Sequence, residues 1–420
     1  MPVKNRYSLA APVQPSLDAT DASKDASPEV SKSRRPLLRV AVFLCLSNAF
    51  LTFLLFLVPV IQNNGFETLA RFWDGPEYIA IAYSLYDPQS PILQIPHFST
   101  FSPLYWGAHF PLVPLAIRLV SPVFGYIGAM FVLNYFFTCG FAIVLYRFLR
   151  DFGYSKDPLW LAFISLFLPL RWLIYHTVGG SEPATLFFSI LCLYQFKKER
   201  YWQAGLWGAL VVMARPNGFF LGLGLGLWLV WQALEQFRLS PPPSLNWRLV
   251  LLFAERFNWK ALIALVPMPL ALLAVFALYG WQTGDFLAYL HIPEQVKHIY
   301  PIPFLSLDIN IGRGEGDFYY YGLEAAGLVL LWRQKRYDLF WVGLALVLPT
   351  VFLMHADVLR YSLPAFPYVL LIPFAAVWES RAARRFAAPA LLAVLLYSWS
   401  QLSTNQMDLA NWREMLKIIN

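Results

Sequence analysis

Charge is what this chain has least of. Asp, Glu, Lys and Arg make up only 14% of its 420 residues, against roughly a quarter in soluble domains. Most of the chain is thereby excluded from facing water. Cysteine is scarce too: the three, Cys45, Cys139 and Cys192, lie in apolar runs without metal-ligand spacing, so they read as packing residues and not as a disulfide or zinc framework. No strand, glycine-rich turn and helix follow one another as a nucleotide-binding unit. Gly222, Gly224 and Gly226 sit inside an apolar run, where close helix packing is the expected role. Asn-x-Ser/Thr sites are missing, which favours a bacterial plasma membrane over an endoplasmic reticulum.

What remains is hydrophobic. Apolar residues account for 58% of the chain and aromatic residues for 17%. Uncharged runs recur from residue 36 to about 400, each near the roughly 20 residues that cross a 30 Å hydrocarbon core. This predicts an all-α polytopic membrane protein of about 11 spans, since runs so continuous fit helices better than barrel strands. The spans fall at about 37–61, 125–149, 158–175, 181–196, 201–215, 217–235, 259–281, 317–332, 338–355, 361–378 and 386–402. Residues 1–35 read as a disordered cytoplasmic tail, 36–402 as the membrane domain and 403–420 as an extracytoplasmic segment.

The net charge of +7 fits loops that orient a membrane protein, with no nucleic-acid partner. Basic clusters at 147–156, 197–200, 238–260, 333–336 and 381–385 all fall inside if the N-terminus is cytoplasmic. Residues 110–121 are apolar but short, with Pro111, Pro114 and Arg118. Counting them as a span would turn every later basic loop outward, so they read as a helix at the outer interface. The long outer loops are then 62–124 and 282–316, and the main cytoplasmic loop is 236–258.

Ionisable residues in a membrane domain cost roughly 2.5–3.5 kcal/mol each and need a reason. In this threading they gather at the outer face: Asp74, Glu77, Arg118, Arg171, Glu182, Arg215, Glu324, Asp357 and Arg360. A one-sided cluster suits an enzyme fed from the outer leaflet, whereas a transporter or flippase of lipid-linked saccharides, the alternative, places polar groups near the midplane. Sugar transfer from a lipid phosphate needs a base for the acceptor hydroxyl and cations for the leaving phosphate. Asp74, in Arg71-Phe72-Trp73-Asp74-Gly75-Pro76-Glu77-Tyr78, is the candidate base. Arg360, Arg215 and Arg171 are candidates for the phosphate, because guanidinium binds phosphate oxygens bidentately. Trp73, Glu77, Tyr78, Arg118, Glu182 and Tyr361 complete the expected substrate-binding set. Asp74 equally suits a helix cap before Gly75-Pro76, and Arg360 a snorkelling anchor. His355 and Asp357 have a spacing a divalent metal could use, but two ligands define no site.

Trp73-Asp74 with Tyr78, then His109-Phe110-Pro111-Leu112-Val113-Pro114 with Arg118, then Gly180-Ser181-Glu182 and Ala214-Arg215-Pro216-Asn217-Gly218 occur in this order. The pattern resembles the PIG-V-type mannosyltransferases, the GPI mannosyltransferase 2 family, within the GT-C superfamily. It covers about residues 70 to 220 and continues loosely through Arg360-Tyr361-Ser362-Leu363-Pro364. The resemblance implies a polyprenyl- or dolichyl-phosphate sugar donor, mannose as the sugar, a lipid- or glycan-linked acceptor, inversion at the anomeric carbon, and Asp74 as the first-loop acidic residue. Gly75-Pro76 departs from the family pattern.

Overall fold

The computed structural model describes residues 36–63, 67–239, 255, 257–293, 315–353, 358–402 and 404–420. The expected tail, most of the cytoplasmic loop 236–258 and of the outer loop 282–316, and the His355/Asp357 pair lie outside them. Among the described residues the chain is helical and forms no strand beyond two isolated bridges.

The bundle runs α1 (Leu37–Asn63), α2 (Gly75–Ser84), α3 (Leu112–Asp151), α4 (Pro158–Ile164), α5 (Trp172–Tyr175), α6 (Glu182–Lys197), α7 (Tyr201–Ala214), α8 (Phe219–Leu239), α9 (Pro267–Thr283), α10 (Glu315–Arg333), α11 (Tyr337–Val347), α12 (Val358–Ser362), α13 (Arg381–Leu402) and α14 (Leu409–Ile419). Among the described residues, four helical stretches are long and apolar enough to cross a membrane: Leu37–Gln62, Leu112–Asp151, Pro216–Gln236 and Trp259–Thr283. Their surfaces are those of a membrane protein. Leu38, Leu46, Phe50, Phe53 and Ile61 of α1 stand exposed, while Asn48 on the same helix is buried against Cys139.

The interfacial segment and two of the expected spans take particular forms. Residues 110–121 become the first arm of α3, which breaks at Gly125 (φ 66°, ψ 167°), a conformation that only glycine adopts readily. The arm bares Leu115, Leu119 and Val123, as an interfacial helix should. The stretch 158–175 is interrupted around Pro169 into α4 and α5, because proline supplies no amide donor to a helix interior. Residues 361–378, with Pro364, Pro367 and Pro373, likewise become a chain of short turns. That segment is buried: the Val369 carbonyl lies against the Cα of Gly327 on α10, where any side chain would collide with it. Gly222 packs against Met268 and Gly224 against the Val342 backbone, which bears out the packing role of these glycines.

The first outer loop is folded, with short helical turns on either side of α2. Its entry is clamped twice. The Trp73 amide donates to the Asn405 carbonyl (2.9 Å), the Met407 amide to the Arg71 carbonyl (2.9 Å), and Arg71 Nη1 to the Met407 carbonyl (3.0 Å). On its other side Trp73 bridges Gly179.

Candidate active site

Asp74 immediately precedes α2, and Pro76 occupies the first turn of that helix, where its missing amide costs nothing. The Asp74 side chain makes no capping bond, so the capping role that the sequence allowed is not taken up. Trp73, just before it, has φ 54°, in the left-handed region where a bulky residue is strained. The bridges to Asn405 and Gly179 hold it there. Gly75 and Gly179 meet backbone to backbone: a Cβ on Gly179 would stand 2.4 Å from the Gly75 Cα. Gly179 is thus what lets the first loop reach the start of α6, while a Cβ on Gly75 would collide with the Ala70 carbonyl at 2.3 Å.

That approach brings four distant charges together. Arg360 Nη2 binds Asp74 Oδ2 at 2.5 Å, and its Nε donates to Glu182 Oε1. The same Glu182 oxygen accepts from Arg215 Nη1. Two carboxylates and two guanidinium groups therefore form one continuous network with a formal charge near zero. Glu182 is almost fully buried and Asp74 keeps a fifth of its side chain exposed, so the network is open at the Asp74 end. Around it stand aromatic faces. Arg360 lies 5.1 Å from the Tyr175 ring and Arg215 lies 5.4 Å from the Tyr361 ring, both favourable cation–π positions. Trp73 meets Tyr175 edge-on at 5.4 Å, and Tyr78 meets His109 in the same way at 5.3 Å.

Electrostatics differ across this small space. Burial raises the Asp74 pKa, but the Arg360 charge and hydrogen bond, helped by His109 and Arg215, outweigh it and hold the carboxyl below its usual range. His109, with Nε2 3.9 Å from Asp74 Oδ2, is pushed down by burial more than the neighbouring carboxylates raise it, so it is neutral at pH 7. Glu77 faces His97 at 3.6 Å. Several buried polar atoms here have no hydrogen-bond partner among the described residues: Trp73 Nε1, Glu77 Oε2, His109 Nδ1 and Glu182 Oε2. Buried polar groups are nearly always satisfied, so these four atoms are free to take a polar ligand.

Asp74, Glu182, Arg215 and Arg360, with Trp73, Tyr78 and Tyr361 beside them, are therefore brought together, and Glu77 adjoins them. Two of the expected residues are used elsewhere. Arg118 caps the C-terminal end of α2 through Nη1 to the Ala82 (3.1 Å) and Tyr83 (2.7 Å) carbonyls, where a cation complements the helix dipole. Arg171 donates from Nε to Tyr397 Oη on α13 (2.8 Å). His109, quoted in the motif but not among the expected site residues, joins the site together with Tyr105 and Tyr175. The motif position was the available signal for His109, and none marked the two tyrosines. No group of three or more His, Cys, Asp or Glu residues placed to hold a metal ion occurs among the described residues.

No protein-family model matches this chain, and no curated protein matches it. Solved structures do. The apo form of the Archaeoglobus fulgidus oligosaccharyltransferase is similar over 90% of this chain and 57% of that chain, with a TM-score of 0.51 and 13% sequence identity. The same protein in complex with Zn and sulfate gives a TM-score of 0.49 at 14% identity, over 90% of this chain and 55% of that chain. At this identity the likeness is one of fold. Among the described residues the chain is helical with four stretches able to cross a membrane, its fold is like that of the archaeal protein, and it covers a little over half of that neighbour's length.

Proposed function

We propose that the protein is an integral-membrane glycosyltransferase moving a sugar from a polyprenyl- or dolichyl-phosphate donor to an acceptor hydroxyl at the outer face. The observation that carries this reading is the Asp74–Arg360–Glu182–Arg215 network, placed at one end of the bundle and open at Asp74. A structural ion-pair network would need neither the open end nor the unpartnered polar atoms around it. The GT-C fold supports the same reading. Mannose as the sugar, inversion and a place among PIG-V-type enzymes are its finer parts, resting on the motif order from Trp73 to Tyr361, while about 11 spans rest on the apolar runs.

In this reading Asp74 and Arg360 share a switch, supported by their ion pair. Held by Arg360, Asp74 is a weak base, because its proton affinity is low. A donor phosphate offers Arg360 a better bidentate partner than two single carboxylate oxygens. As the guanidinium turns to the phosphate, Asp74 loses its cation and its proton affinity rises. Asp74 then takes the acceptor proton while the acceptor oxygen bonds the anomeric carbon. The carbon–oxygen bond to the phosphate breaks, and its electron pair leaves with the phosphate. Arg360 and Arg215 hold the charge that develops there, with Glu182 as their fixed counter-ion. The orphaned Glu77, His109 and Trp73 atoms are available to sugar hydroxyls.

Purified protein in detergent, supplied with polyprenyl-phosphate-mannose and candidate acceptors, tests this through released polyprenyl phosphate. Asp74→Asn keeps the side chain's size but cannot take the proton, so turnover should fall roughly 10²–10⁴-fold with donor binding retained. More than half the normal rate would remove Asp74 as the base.

A further inference from the structure

The end of the bundle opposite Asp74 holds a second polar assembly that sugar transfer does not use. α6 carries Glu182 at its first residue and Lys197 at its last, about 22 Å further on. There Lys197 is paired with Asp338, which also accepts from Tyr154 Oη at 2.9 Å. Beside them lies a cavity of about 620 Å³, lined among others by Tyr154, Lys156, Gln334, Arg336, Glu379 and Arg384.

The cations of this cavity are unequally committed. Arg384 is paired with Asp157 at 2.8 Å. Glu379 is occupied by the Ser155 hydroxyl and by the Lys156 and Asp157 amides at 3.0 and 3.1 Å. Arg336 rests 4.8 Å from the Tyr154 ring, and its Nη1 is buried without a hydrogen-bond partner. Neither Arg336 nor Lys156 has an ion-pair partner among the described residues. A buried guanidinium nitrogen left unsatisfied beside an open cavity is costly unless something fills it. The rest of the lining includes Ile372, Pro373, Ala375 and Ala376, so polar and apolar walls meet in one space.

We infer that this cavity is a binding site for an anionic phosphate group, held by Arg336 and Lys156, with the apolar wall beside it. A phospholipid head group and a free phosphate share that chemistry. Orientation of the protein by positive loops needs exposed charge only, not a cavity with a buried, unpartnered guanidinium nitrogen.

The test uses the purified full chain, stripped of lipid in an uncharged detergent. Binding is read by native mass spectrometry and thermal shift with phosphatidylglycerol, phosphatidylcholine or inorganic phosphate. Phosphatidylglycerol should bind at least tenfold tighter than phosphatidylcholine. The exposed Lys156→Gln should weaken it roughly fivefold, the worth of one basic group at an anionic surface, without changing the ligand-free melting temperature. Lys156→Gln/Arg336→Gln should abolish the preference, and Arg381→Gln, at the same end but outside the cavity, should not. Equal protection by inorganic phosphate, lost in the double variant, would support the site and make its ligand a soluble phosphate. No anion preference in the unmodified protein, or an Arg381→Gln effect as large as that of Lys156→Gln, would overturn the inference.

Discussion

Gly179→Ala tests whether one backbone contact sets the register of the candidate active site. The new Cβ would lie 2.4 Å from the Gly75 Cα and 2.6 Å from Met130 Sδ, where ordinary carbon contacts are about 3.5–4.0 Å. Met130 can swing aside, but the Gly75 backbone cannot, so the first loop must retreat by about 1 Å. Asp74 is the neighbour of Gly75 and retreats with it, away from Glu182 and Arg360. Displacement of a reacting group by 1 Å costs on the order of 10²-fold in rate, and overpacking costs about 1–3 kcal/mol in stability. Sugar-transfer turnover and thermal melts of the purified variant measure both. Gly322→Ala is the control, since a Cβ there meets nothing within 4 Å. Adding Met130→Ala should not restore activity. A Gly179→Ala enzyme with more than half the normal turnover and an unchanged melting temperature would refute the registration argument.

Further outcomes follow from the same geometry. Arg360→Ala should lose both activity and about 3 kcal/mol of stability, because Asp74 and Glu182 are left with one cation between them. Arg360→Lys should fall within about tenfold of Arg360→Ala in turnover, having lost the bidentate fork, and a near-normal lysine variant would reduce Arg360 to an anchor. The Asp74 pKa is lowered in the fold, so its stabilising contribution is full above the unfolded value near about 3.9 and is lost only as pH falls through the lower folded value. The melting-temperature gap between the unmodified protein and Asp74→Asn should therefore hold from pH 7 to about 4 and close below that. In a cysteine-free background, Ser99→Cys should react with an impermeant thiol reagent in intact cells and Lys198→Cys should not; the reverse pattern would place Asp74 on the inner side.

Hydropathy made the apolar helices legible, and the cost of charge in a membrane pointed to Asp74, Glu182, Arg215 and Arg360. What the residues could not convey was their partnership, because it depends on a glycine-to-glycine approach over more than 100 positions, from Gly75 to Gly179. Nor could windows of average hydropathy see the breaks in 158–175 and 361–378, where prolines leave the composition apolar while removing backbone donors. Arg118 and Arg171 show the limit of reading isolated cations: each is absorbed by a local acceptor, an α2 carbonyl pair and a tyrosine hydroxyl, which no sequence pattern announced.

The clamp between residues 71–73 and 405–407 has a consequence for biosynthesis. Arg71 and Met407 are 336 positions apart, and a ribosome adding roughly 5–20 residues per second needs tens of seconds to cover that distance. During this interval the first helix is already inserted and its loop is exposed, yet the strained backbone at Trp73 lacks the Asn405 carbonyl that steadies it. Donor lipid passing the nascent chain would meet an unformed site. Competence then arrives in one late step, when the segment after α13 docks beside Phe72. A chain cut at residue 403 should insert normally and transfer nothing.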